Sequence, residues 1–492
     1  MEPRSFAPGT AIPLTAIPEG DFEAFQGTLD AGIARGQRLS ALFAVPESDR
    51  HRLYAVLVDP RSHELVVFTS VVGERYPSLT RGCPSAHWFE RDIAEETGLV
   101  PQGHPWLKPI RFSGDGAEAG VTDFYEIEGA GVHEVAVGPV HAGIIEPGHF
   151  RFQASGEEVL HLEVSLGYQH RGVERALRGG PDRRSIHYAE TLAGDTTIGH
   201  ATAYCQIVEA LGGGAPSPRA ELLRALALEL ERIANHVGDL GALANDIGYL
   251  PTAAFCGRIR GGVLNLTAAV CGSRFGRSWL RPGGCRFDLD AAGGATLLAG
   301  LDQAERHARA AASLLWGTPS VRARFEGTGV LDASASRELG IVGVAARASG
   351  LAIDARVDVP VGAYRALAVP IATGETGDVY ARARVRWQEI EASCELVRQL
   401  VTMLASEASP PVGGVPGALA PTQLAATLVE GWRGEICHVA LTDATGRFER
   451  YKVVDPSFHN WFGLAYAMRG QPISDFPLCN KSFNLSYCGH DL

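Results

Sequence analysis

The sequence predicts an α+β fold, in which a small N-terminal α/β domain is followed by a mostly helical domain with short β-hairpins. Two apolar runs around a polar turn at 52–72 predict a pair of strands. Apolar residues at helical spacing predict long helices at 217–248 and 377–405. Residues 435–454 predict a β-hairpin around a glycine-containing turn. Together these elements indicate the α+β class.

A shorter helix is predicted in the N-terminal domain. It covers residues 85–98, where Ser85 is suited to cap the first turn and Gly98 to end the last one. This helix and the two strands at 52–72 make the first domain a small unit of mixed structure.

Length and composition describe a soluble globular protein with a large apolar core. The chain has 492 residues, of which 46% are hydrophobic and 20% are charged, and this size predicts two or more domains. A glycine-rich polar segment at 113–120 indicates a boundary. We therefore place the domains at residues 1–120 and 130–492. The formal net charge of −12 argues against a nucleic-acid partner.

Neither a signal peptide nor a membrane span is predicted. The first residues, "MEPRSFAPGTAIPL", lack a basic start followed by an apolar segment. No uninterrupted apolar run is long enough to cross a bilayer. Any membrane contact is therefore expected to be peripheral or made through partners.

The cysteine pattern excludes the usual metal-binding spacings. Nine cysteines are spread along the chain and no Cys-x-x-Cys occurs, so conventional zinc and iron–sulfur ligand spacing is absent. The odd count fits a cytosolic, reduced chain in which most thiols are small buried hydrophobic groups. NAD is not suggested either, because no glycine-rich dinucleotide-binding turn follows a predicted strand.

Several short segments concentrate polar residues. "GPVHAGIIEPGHFRF" contains Glu146 and is either a loop between two strands or the site of a buried carboxylate for proton transfer. In "LGYQHRGVERAL", His170 precedes Arg171, for which a salt bridge with Glu174 is the default explanation.

Two further segments lie next to predicted helices and strands. "ETLAGDTTIGHATAYCQIVEAL" places Asp195 and His200 in a loop that leads into a helix. "EGWRGEICHVAL" places Arg433 before a glycine and a strand. No single one of these segments is specific for a function.

"VVDPSFHNWFG" follows the predicted C-terminal hairpin. Ser457 and Asn460 are separated by two residues at the end of a strand, a spacing at which proteins often present a pair of metal ligands. Neither side chain is a good ligand for a soft metal. From spacing alone, an ordinary Asp-Pro turn is favoured over a metal site.

Taken in order, these segments resemble a known family. The matching segments are "GPVHAGIIEPGHFRF", "GYQHRGVER", "ELERIANHVGDLG", "SRFGRSWLRPGG", "GDVYARARVRWQEI" and "EGWRGEICHV". They are similar to the large subunit of the energy-converting (group 4) [NiFe] hydrogenases, including those of formate hydrogenlyase and hydrogenase-4, and to the quinone-site subunit of respiratory complex I. "SAHWFERDIAEETGLVPQGHPWLKPI" resembles a second complex I peripheral-arm subunit, which these hydrogenases carry fused at the N-terminus. The likeness extends over nearly the whole chain.

The resemblance implies where a nickel–iron centre would be held, and there the sequence departs from the family. In the family two Cys-x-x-Cys pairs supply soft thiolate ligands. The corresponding positions here are Ala193, Thr196, Ser457 and Asn460. Nickel is therefore not expected, and we expect this chain to carry no cofactor and to have lost its own catalytic centre.

The quinone-site branch of the family also differs from this chain. A histidine and a tyrosine that hold the quinone headgroup correspond by the same anchors to Pro147 and Gly194. His149 and Tyr204 are nearby but do not match.

Other family residues are retained. Glu146 matches a proton-transfer glutamate, and Arg433 matches an arginine beside the diatomic ligands of the iron, although Trp432 replaces the proline that usually precedes it. His170 and Arg171, followed by Glu174, match the His-Arg-Gly-x-Glu helix start. The resemblance assigns catalytic roles to Glu146, Arg433, His170 and Arg171.

The resemblance favours a subunit of a membrane-associated oxidoreductase complex that lacks nickel and couples electron transfer to a membrane partner. The expected partners are a small iron–sulfur subunit carrying a 4Fe–4S cluster and antiporter-like membrane subunits, with the chain peripheral on the cytoplasmic face. Retention of Glu146 and Arg433 as a buried charge pair favours a pocket for an electron acceptor or another small molecule. Residues predicted to line that pocket are Asp195, Thr196, His200, Ser457, His459 and Asn460.

Two alternatives remain open. The chain is a scaffold or coupling subunit with no redox site, or it is an active [NiFe] hydrogenase of a formate hydrogenlyase, which the missing thiolates disfavour. The C-terminal segment, residues 473–492, continues beyond the metal-site motif and is expected to fold over the former cavity.

Overall fold

A computed structural model describes residues 1–114, 117–141 and 145–492. The strands, in chain order, are β1 (Arg4–Phe6), β2 (Thr10–Pro13), β3 (Glu19–Gly20), β4 (Arg38–Glu47), β5 (Arg50–Asp59), β6 (Glu64–Val72), β7 (Arg75–Pro77), β8 (Val100–Gln102), β9 (Val132–Val137), β10 (His149–Ser155), β11 (Glu158–Ser165), β12 (Leu280–Arg281), β13 (Gly284–Cys285), β14 (Gln423–Glu430), β15 (Glu435–Thr442) and β16 (Phe448–Val454).

The α-helices lie between groups of these strands and after the last of them. In chain order they are α1 (Phe22–Ala34), α2 (His87–Thr97), α3 (Val173–Leu177), α4 (Ser185–Glu190), α5 (Thr197–Gly212), α6 (Pro218–Asp246), α7 (Leu250–Cys271), α8 (Ala291–Gly317), α9 (Pro319–Phe325), α10 (Ala333–Glu338), α11 (Gly343–Ala348), α12 (Ala355–Asp358), α13 (Val379–Ser406), α14 (Pro456–Ala467), α15 (Phe476–Phe483) and α16 (Tyr487–Asp491). The predicted α+β class is confirmed.

The N-terminal unit is built on a mainly antiparallel sheet. Its strand order is β1-β6-β5-β4, and β3 pairs in parallel with β6. The two strands predicted at 52–72 are β5 and β6, so that prediction is confirmed. Helix α1 packs on the sheet, where the ring of Phe25 lies 5.0 Å from that of Phe68.

The helix predicted at 85–98 is present, but its predicted cap is wrong. Helix α2 ends at Gly98, which adopts a left-handed conformation with φ of 76° and closes the helix as expected for glycine. Ser85 does not cap it, because Pro84–Ala86 form a 3₁₀ turn that runs directly into α2. The residue before the helix is Ala86, which has no side-chain acceptor.

Long buried helices form the centre of the second unit. The helices predicted at 217–248 and 377–405 are confirmed as α6 and α13, and they pack against each other. The side chain of Ser217 accepts a hydrogen bond from the amide of Ala220 at the start of α6. Asp378 caps α13 in the same way. Both caps satisfy amides that the first helical turn leaves unpaired.

The predicted C-terminal hairpin is confirmed as β15 and β16, which are antiparallel. They belong to a sheet of order β16-β15-β14-β2. Strand β2 comes from the N-terminal segment, and Pro13 is paired with Gln423 of β14. The N-terminal segment thus adds a strand to the sheet on which the candidate site is built, and the domain limits 1–120 and 130–492 stay a prediction.

The segments with the polar motifs lie around this framework. Residues 138–148 connect β9 to β10, which fits the loop interpretation of that segment, and residues 142–144 lie outside the described part of the chain. The glycine-rich segment at 113–120 contains no helix or strand in its described residues, and 115 and 116 lie outside them. All nine cysteines are buried free thiols, as expected from the sequence.

None of the helices in the described ranges combines the length and the apolar character that crossing a bilayer requires.

Candidate functional site

The Asp-Pro pair after β16 starts a helix, so the prediction of an ordinary turn is wrong. The carboxylate of Asp455 accepts a hydrogen bond of 2.8 Å from the amide of Ser457 and caps α14. Pro456 occupies the first helical position, where its fixed φ is suitable and its missing amide hydrogen is not needed. Ser457 and Asn460 therefore lie on the first turns of a buried helix.

A buried chain of side chains connects this helix start to α5. Oδ2 of Asp455 lies 3.0 Å from Nε2 of His200, and Nδ1 of His200 lies 3.1 Å from Nε2 of His438. Nδ1 of His438 lies 2.9 Å from the hydroxyl of Tyr451. Burial alone would raise the pKa of Asp455, but the hydrogen bond with His200 holds that pKa below its usual value. His200 lies within α5 rather than in the preceding loop, contrary to the prediction.

Arg433 forms a bidentate ion pair with Asp195. It lies in the turn between β14 and β15, and its two terminal nitrogens lie 2.6 and 2.8 Å from the two carboxylate oxygens. Its guanidinium carbon is 3.9 Å from the ring centre of Trp432, which adds a cation–π contact. Paired in this way, the planar guanidinium has a single fixed orientation.

Glu146 is not the partner of Arg433, so the predicted charge pair is wrong. Glu146 is half-buried, and its carboxylate accepts a hydrogen bond of 3.3 Å from the amide of Tyr487. The charge on Arg433 is compensated by Asp195, which comes from the loop before α5. The pairing joins two of the predicted site residues across 238 positions of sequence.

The Asp195–Arg433 pair predicts a pH-dependent contribution to stability. Burial opposes ionisation of Asp195, but Arg433 holds the pKa of this carboxyl below its ordinary value. Because the folded pKa is depressed, the contribution is complete above the unfolded pKa of about 4 and is lost as pH falls through the folded pKa. Asp195→Asn should lower the free energy of unfolding by about 2 kcal/mol at pH 7. The difference from the native chain should begin to shrink near pH 4 and should vanish only below the depressed folded pKa of Asp195. Urea unfolding across this range measures it, and a difference independent of pH would contradict the assignment.

The four positions implied for metal ligands are packed into the protein. The hydroxyl of Thr196 accepts hydrogen bonds from Trp432 Nε1 at 3.1 Å and from an Arg433 nitrogen at 3.2 Å. The hydroxyl of Ser457 accepts one of 2.8 Å from the amide of Ser486. The amide group of Asn460 bonds to both the amide and the carbonyl of Val342 at 3.0 Å. Ala193 is completely buried.

The C-terminal segment covers these residues, as expected from the sequence. The carbonyl of Asn484 accepts a 2.6 Å hydrogen bond from Nε of Arg433. The buried carboxylate of Asp491 accepts hydrogen bonds from the amides of Gly167 and Gln169 at 2.8 and 2.9 Å. The segment is thus fixed to the loop before α3 as well as to Arg433.

His170 and Arg171 hold this C-terminal segment in place. Nδ1 of His170 lies 2.7 Å from the carbonyl of Asp491. Arg171 donates to the carbonyl of Cys488 in this segment at 3.3 Å. It also donates to the carbonyls of Thr191 and Leu192 at 2.7 and 3.0 Å. The predicted salt bridge between Arg171 and Glu174 is therefore wrong.

Glu174, in the first turn of α3, pairs instead with Lys452 and Arg450 at 3.1 and 3.2 Å. Two neighbouring cations on β16 compensate this buried carboxylate.

His459 does not join the other predicted pocket residues. It lies on α14 between Ser457 and Asn460 in the sequence, yet its ring lies 5.6 Å from the ring of Phe89 on α2. Burial lowers the pKa of His459 to about 4. Side chains at adjacent helix positions point in directions about 100° apart, which explains why Ser457 and Asn460 reach the site and His459 does not.

His149 and Tyr204, which lie near the two implied quinone positions in sequence, make contacts with residues other than Arg433. Nε2 of His149 accepts a hydrogen bond from Arg151 at 3.2 Å. Tyr204 packs on Tyr451, with 6.3 Å between the ring centres.

Sequence reasoning missed several residues of the site. Asp455 carried a usable signal, because an acidic residue followed by proline is typical of a helix start. His438 also carried one, as a polar residue in the apolar strand "EICHVAL". Asn484, Ser486 and Asp491 had no such signal, since their contacts involve loops that only the tertiary fold brings close.

Family models match two parts of the chain. The model described as the respiratory-chain NADH dehydrogenase 49 Kd subunit matches residues 246–412, and that of the 30 Kd subunit matches residues 18–118. Among solved structures, a chain of the membrane-bound sulfane sulfur reductase, an archaeal respiratory membrane complex, has a TM-score of 0.69 at 23% identity. That match covers 73% of this chain and 98% of the other, and it shows a shared fold.

Curated relatives agree with these models. The carbon monoxide-induced hydrogenase of Rhodospirillum rubrum is 33% identical over 353 residues, which cover 72% of this chain and 97% of the relative. Formate hydrogenlyase subunit 5 of Escherichia coli is 28% identical, with 84% of this chain and 76% of the relative covered. NADH-quinone oxidoreductase subunit 4 of Thermus thermophilus is 29% identical, with 69% and 89% covered. The chain therefore belongs to the family that joins the 49 Kd subunit of respiratory-chain NADH dehydrogenase with the large subunits of membrane-bound hydrogenases, here fused to a 30 Kd subunit-like domain.

Proposed function

We propose that this chain is a subunit of a membrane-associated oxidoreductase complex in which it carries no nickel–iron centre. Its role is to couple electron transfer on an iron–sulfur partner subunit to a membrane partner. The observation that carries the proposal is the packing of Thr196, Ser457 and Asn460, whose polar groups are hydrogen-bonded within the protein. Relatives named as subunits of NADH-quinone oxidoreductase and formate hydrogenlyase support membership of such a complex.

The side chains present do not fit a nickel–iron centre. Alanine has no donor atom, and neutral hydroxyl and amide groups are weak ligands for a soft metal. Within the described ranges, no group of three or more His, Cys, Asp or Glu residues is arranged to hold a metal ion. The thiol of Cys488 lies 3.4 Å from the hydroxyl of Ser486, and burial raises its pKa to about 11. The single thiol of Cys488 does not restore the two Cys-x-x-Cys pairs that the family uses.

Metal analysis of the native complex tests the proposal. We expect the complex, purified with its partners, to contain iron and sulfide but no nickel, and to reduce methyl viologen with hydrogen at no measurable rate. Nickel at one atom per chain, together with hydrogen-dependent dye reduction that Ser457→Ala abolishes, would restore the hydrogenase interpretation. In the hydrogenases that the sequence resembles, the maturing chain is clipped shortly after its last cysteine. An intact C-terminus by mass spectrometry on the native protein would therefore support a site that is never loaded.

A scaffold without any redox site is the second candidate. It is favoured by the same packing, because side chains that are fully satisfied by the protein are not free to bind a ligand. Arg433→Met distinguishes the two candidates in the intact complex. A fall in turnover with an unchanged subunit composition supports a role in electron transfer, whereas unchanged turnover supports the scaffold.

A further inference from the structure

One stretch of the chain carries only positive charge. Between Asp246 and Asp288 there is no acidic residue, although the whole chain has a formal net charge of −12. The same stretch contains six arginines, which are Arg258, Arg260, Arg274, Arg277, Arg281 and Arg286. Among the residues that the structure describes, none of the six forms an ion pair, and Asp288 pairs with Arg219 instead. The stretch is therefore a local excess of unneutralised cations on an acidic protein.

Three of these arginines and a phenylalanine lie together at helix α7. Arg258 is on the exposed face of the helix, one turn before Gly261. Arg274 reaches back to the same place, where a terminal nitrogen lies 3.5 Å from the carbonyl oxygen of Gly261. The side chain of Arg260 packs against α6, and Phe275, which follows Arg274, is 39% exposed. We call Arg258, Arg260, Arg274 and Phe275 the arginine face.

The arginine face adjoins the candidate site. Arg274 and Phe275 line a narrow groove between α6 and α7, and Asp195 lines the same groove. The side chain of Asp195 is 33% exposed, although its partner Arg433 is buried. Glu231, also in the groove, accepts hydrogen bonds from two amides of the first turn of α5 at 2.8 and 3.2 Å, and burial raises its pKa to about 8. Because Glu231 is mostly protonated at about pH 7, it does not neutralise the arginines.

An acidic protein surface fits this face. Arginine and aromatic residues are enriched at protein–protein interfaces, and a guanidinium without a counterion can pair with a carboxylate in a bidentate manner. Charges are screened beyond about 8 Å at physiological ionic strength, so a docked segment responds to the arginines rather than to the net charge of the chain. An anionic membrane fits less well, because a flat surface also meets the rest of an acidic protein.

We propose that the arginine face docks an acidic segment of the iron–sulfur partner subunit. The inference rests on the proposed function for the identity of that partner, and it adds the place where the partner binds. A subunit seated on Arg258 and Arg274 would cover the groove and contact the exposed edge of Asp195. Electrons would then reach the candidate site from the side of α7.

Zero-length cross-linking in the native complex tests this placement. The chain has only three lysines, which are Lys108, Lys452 and Lys481. A link through an added lysine is therefore easily assigned by mass spectrometry. Arg274→Lys keeps the positive charge and supplies an amine that a carbodiimide joins to a neighbouring carboxylate, so we expect a link to an Asp or Glu of the iron–sulfur subunit. Arg61→Lys, in an exposed turn between β5 and β6, should form no link to that subunit. A link from position 274 to a membrane subunit, or no link, would overturn the proposal.

Charge reversal measures how much the face contributes to binding. Arg258→Glu combined with Arg274→Glu should weaken the partner at least about tenfold, so that less iron copurifies with each chain. Arg61→Glu is the matched control, since Arg61 is also exposed and forms no ion pair within the described ranges. Both variants should unfold at the same urea concentration, which separates a loss of docking from a folding defect.

The outcomes for the docking and for the proposed function are distinct. Iron that stays with the double variant as firmly as with the native chain would overturn the docking and leave the nickel-free assignment intact. Nickel in the native complex would contradict the proposed function, whereas the cross-link from position 274 would still locate the iron–sulfur subunit. Loss of the double variant from membranes with its iron retained would show that the face contacts lipid, and this result would also overturn the proposal.

Discussion

Replacing Arg347 by methionine should lower the apparent free energy of unfolding by about 4 kcal/mol, the cost of leaving buried charges uncompensated. Arg347 is fully buried on α11. Its nitrogens donate to Glu389 at 2.8 Å and to Glu430 at 2.7 Å. Methionine fills similar space but has no donor, so two buried carboxylates would lose their cation. Urea or thermal unfolding of the full chain measures the loss.

Arg309→Met is the matched control. The side chain of Arg309 is 55% exposed and pairs with Glu305 and Glu391 at 3.0 and 2.7 Å. Exposed pairs contribute little, so we expect a change below about 1 kcal/mol. Adding Glu389→Gln to Arg347→Met should recover part of the loss, because it removes one of the orphaned charges. Equal losses in the two single variants would show that burial adds nothing to this network.

The charge network around Arg347 joins separate parts of the fold. Burial raises the pKa of Glu430 to about 7, and the neighbouring Asp354 acts in the same direction. Glu389 also lies 2.7 Å from Nε2 of His236 on α6, whose ring makes a 6.1 Å edge contact with Trp432. Trp432, the residue before Arg433, is therefore supported by a buried network that includes His236 on α6, Arg347 on α11 and Glu389 on α13.

The sequence predicted the long elements well and the site only in part. Helices α6 and α13 were predictable because their apolar periodicity and capping residues are local signals. The start of α2 was not predictable in this way. Pro84 begins a 3₁₀ turn there, and whether this turn or a Ser85 cap forms depends on local packing. Asp195, Thr196, Ser457 and Asn460 were placed near one another by the family resemblance.

The actual partners of those residues could not be predicted. Arg433 had Glu146 as a plausible partner, yet it pairs with Asp195, since the choice depends on how α5 and the turn before β15 approach each other. The salt bridge expected from the spacing of Arg171 and Glu174 does not form, for a related reason. Cations on β16 and carbonyls of the C-terminal segment compete for these side chains and are closer.

Gly343→Ala should disturb the turn that carries Arg433 and should cost about 3 kcal/mol or more through steric overlap and backbone strain. Gly343 has a φ of +64°, which side-chain-bearing residues rarely adopt, and an added Cβ would overlap the carbonyl oxygen of Arg433. Gly434 approaches from the other side, so the two glycines allow close contact between α11 and the turn. Unfolding of the full chain measures the loss.

Gly350→Ala separates the cost of backbone strain from the cost of steric overlap. Gly350 has a φ of +89°, but the nearest atom to an added Cβ is the Gly374 carbonyl oxygen at 3.6 Å, so we expect only the conformational cost of about 1 kcal/mol. If Gly343→Ala acts by displacing Arg433, its ion pair with Asp195 is already lost in that variant. Adding Asp195→Asn should then cost much less than it does in the native chain. Fully additive losses would show that the turn keeps its geometry and that the strain is absorbed within α11.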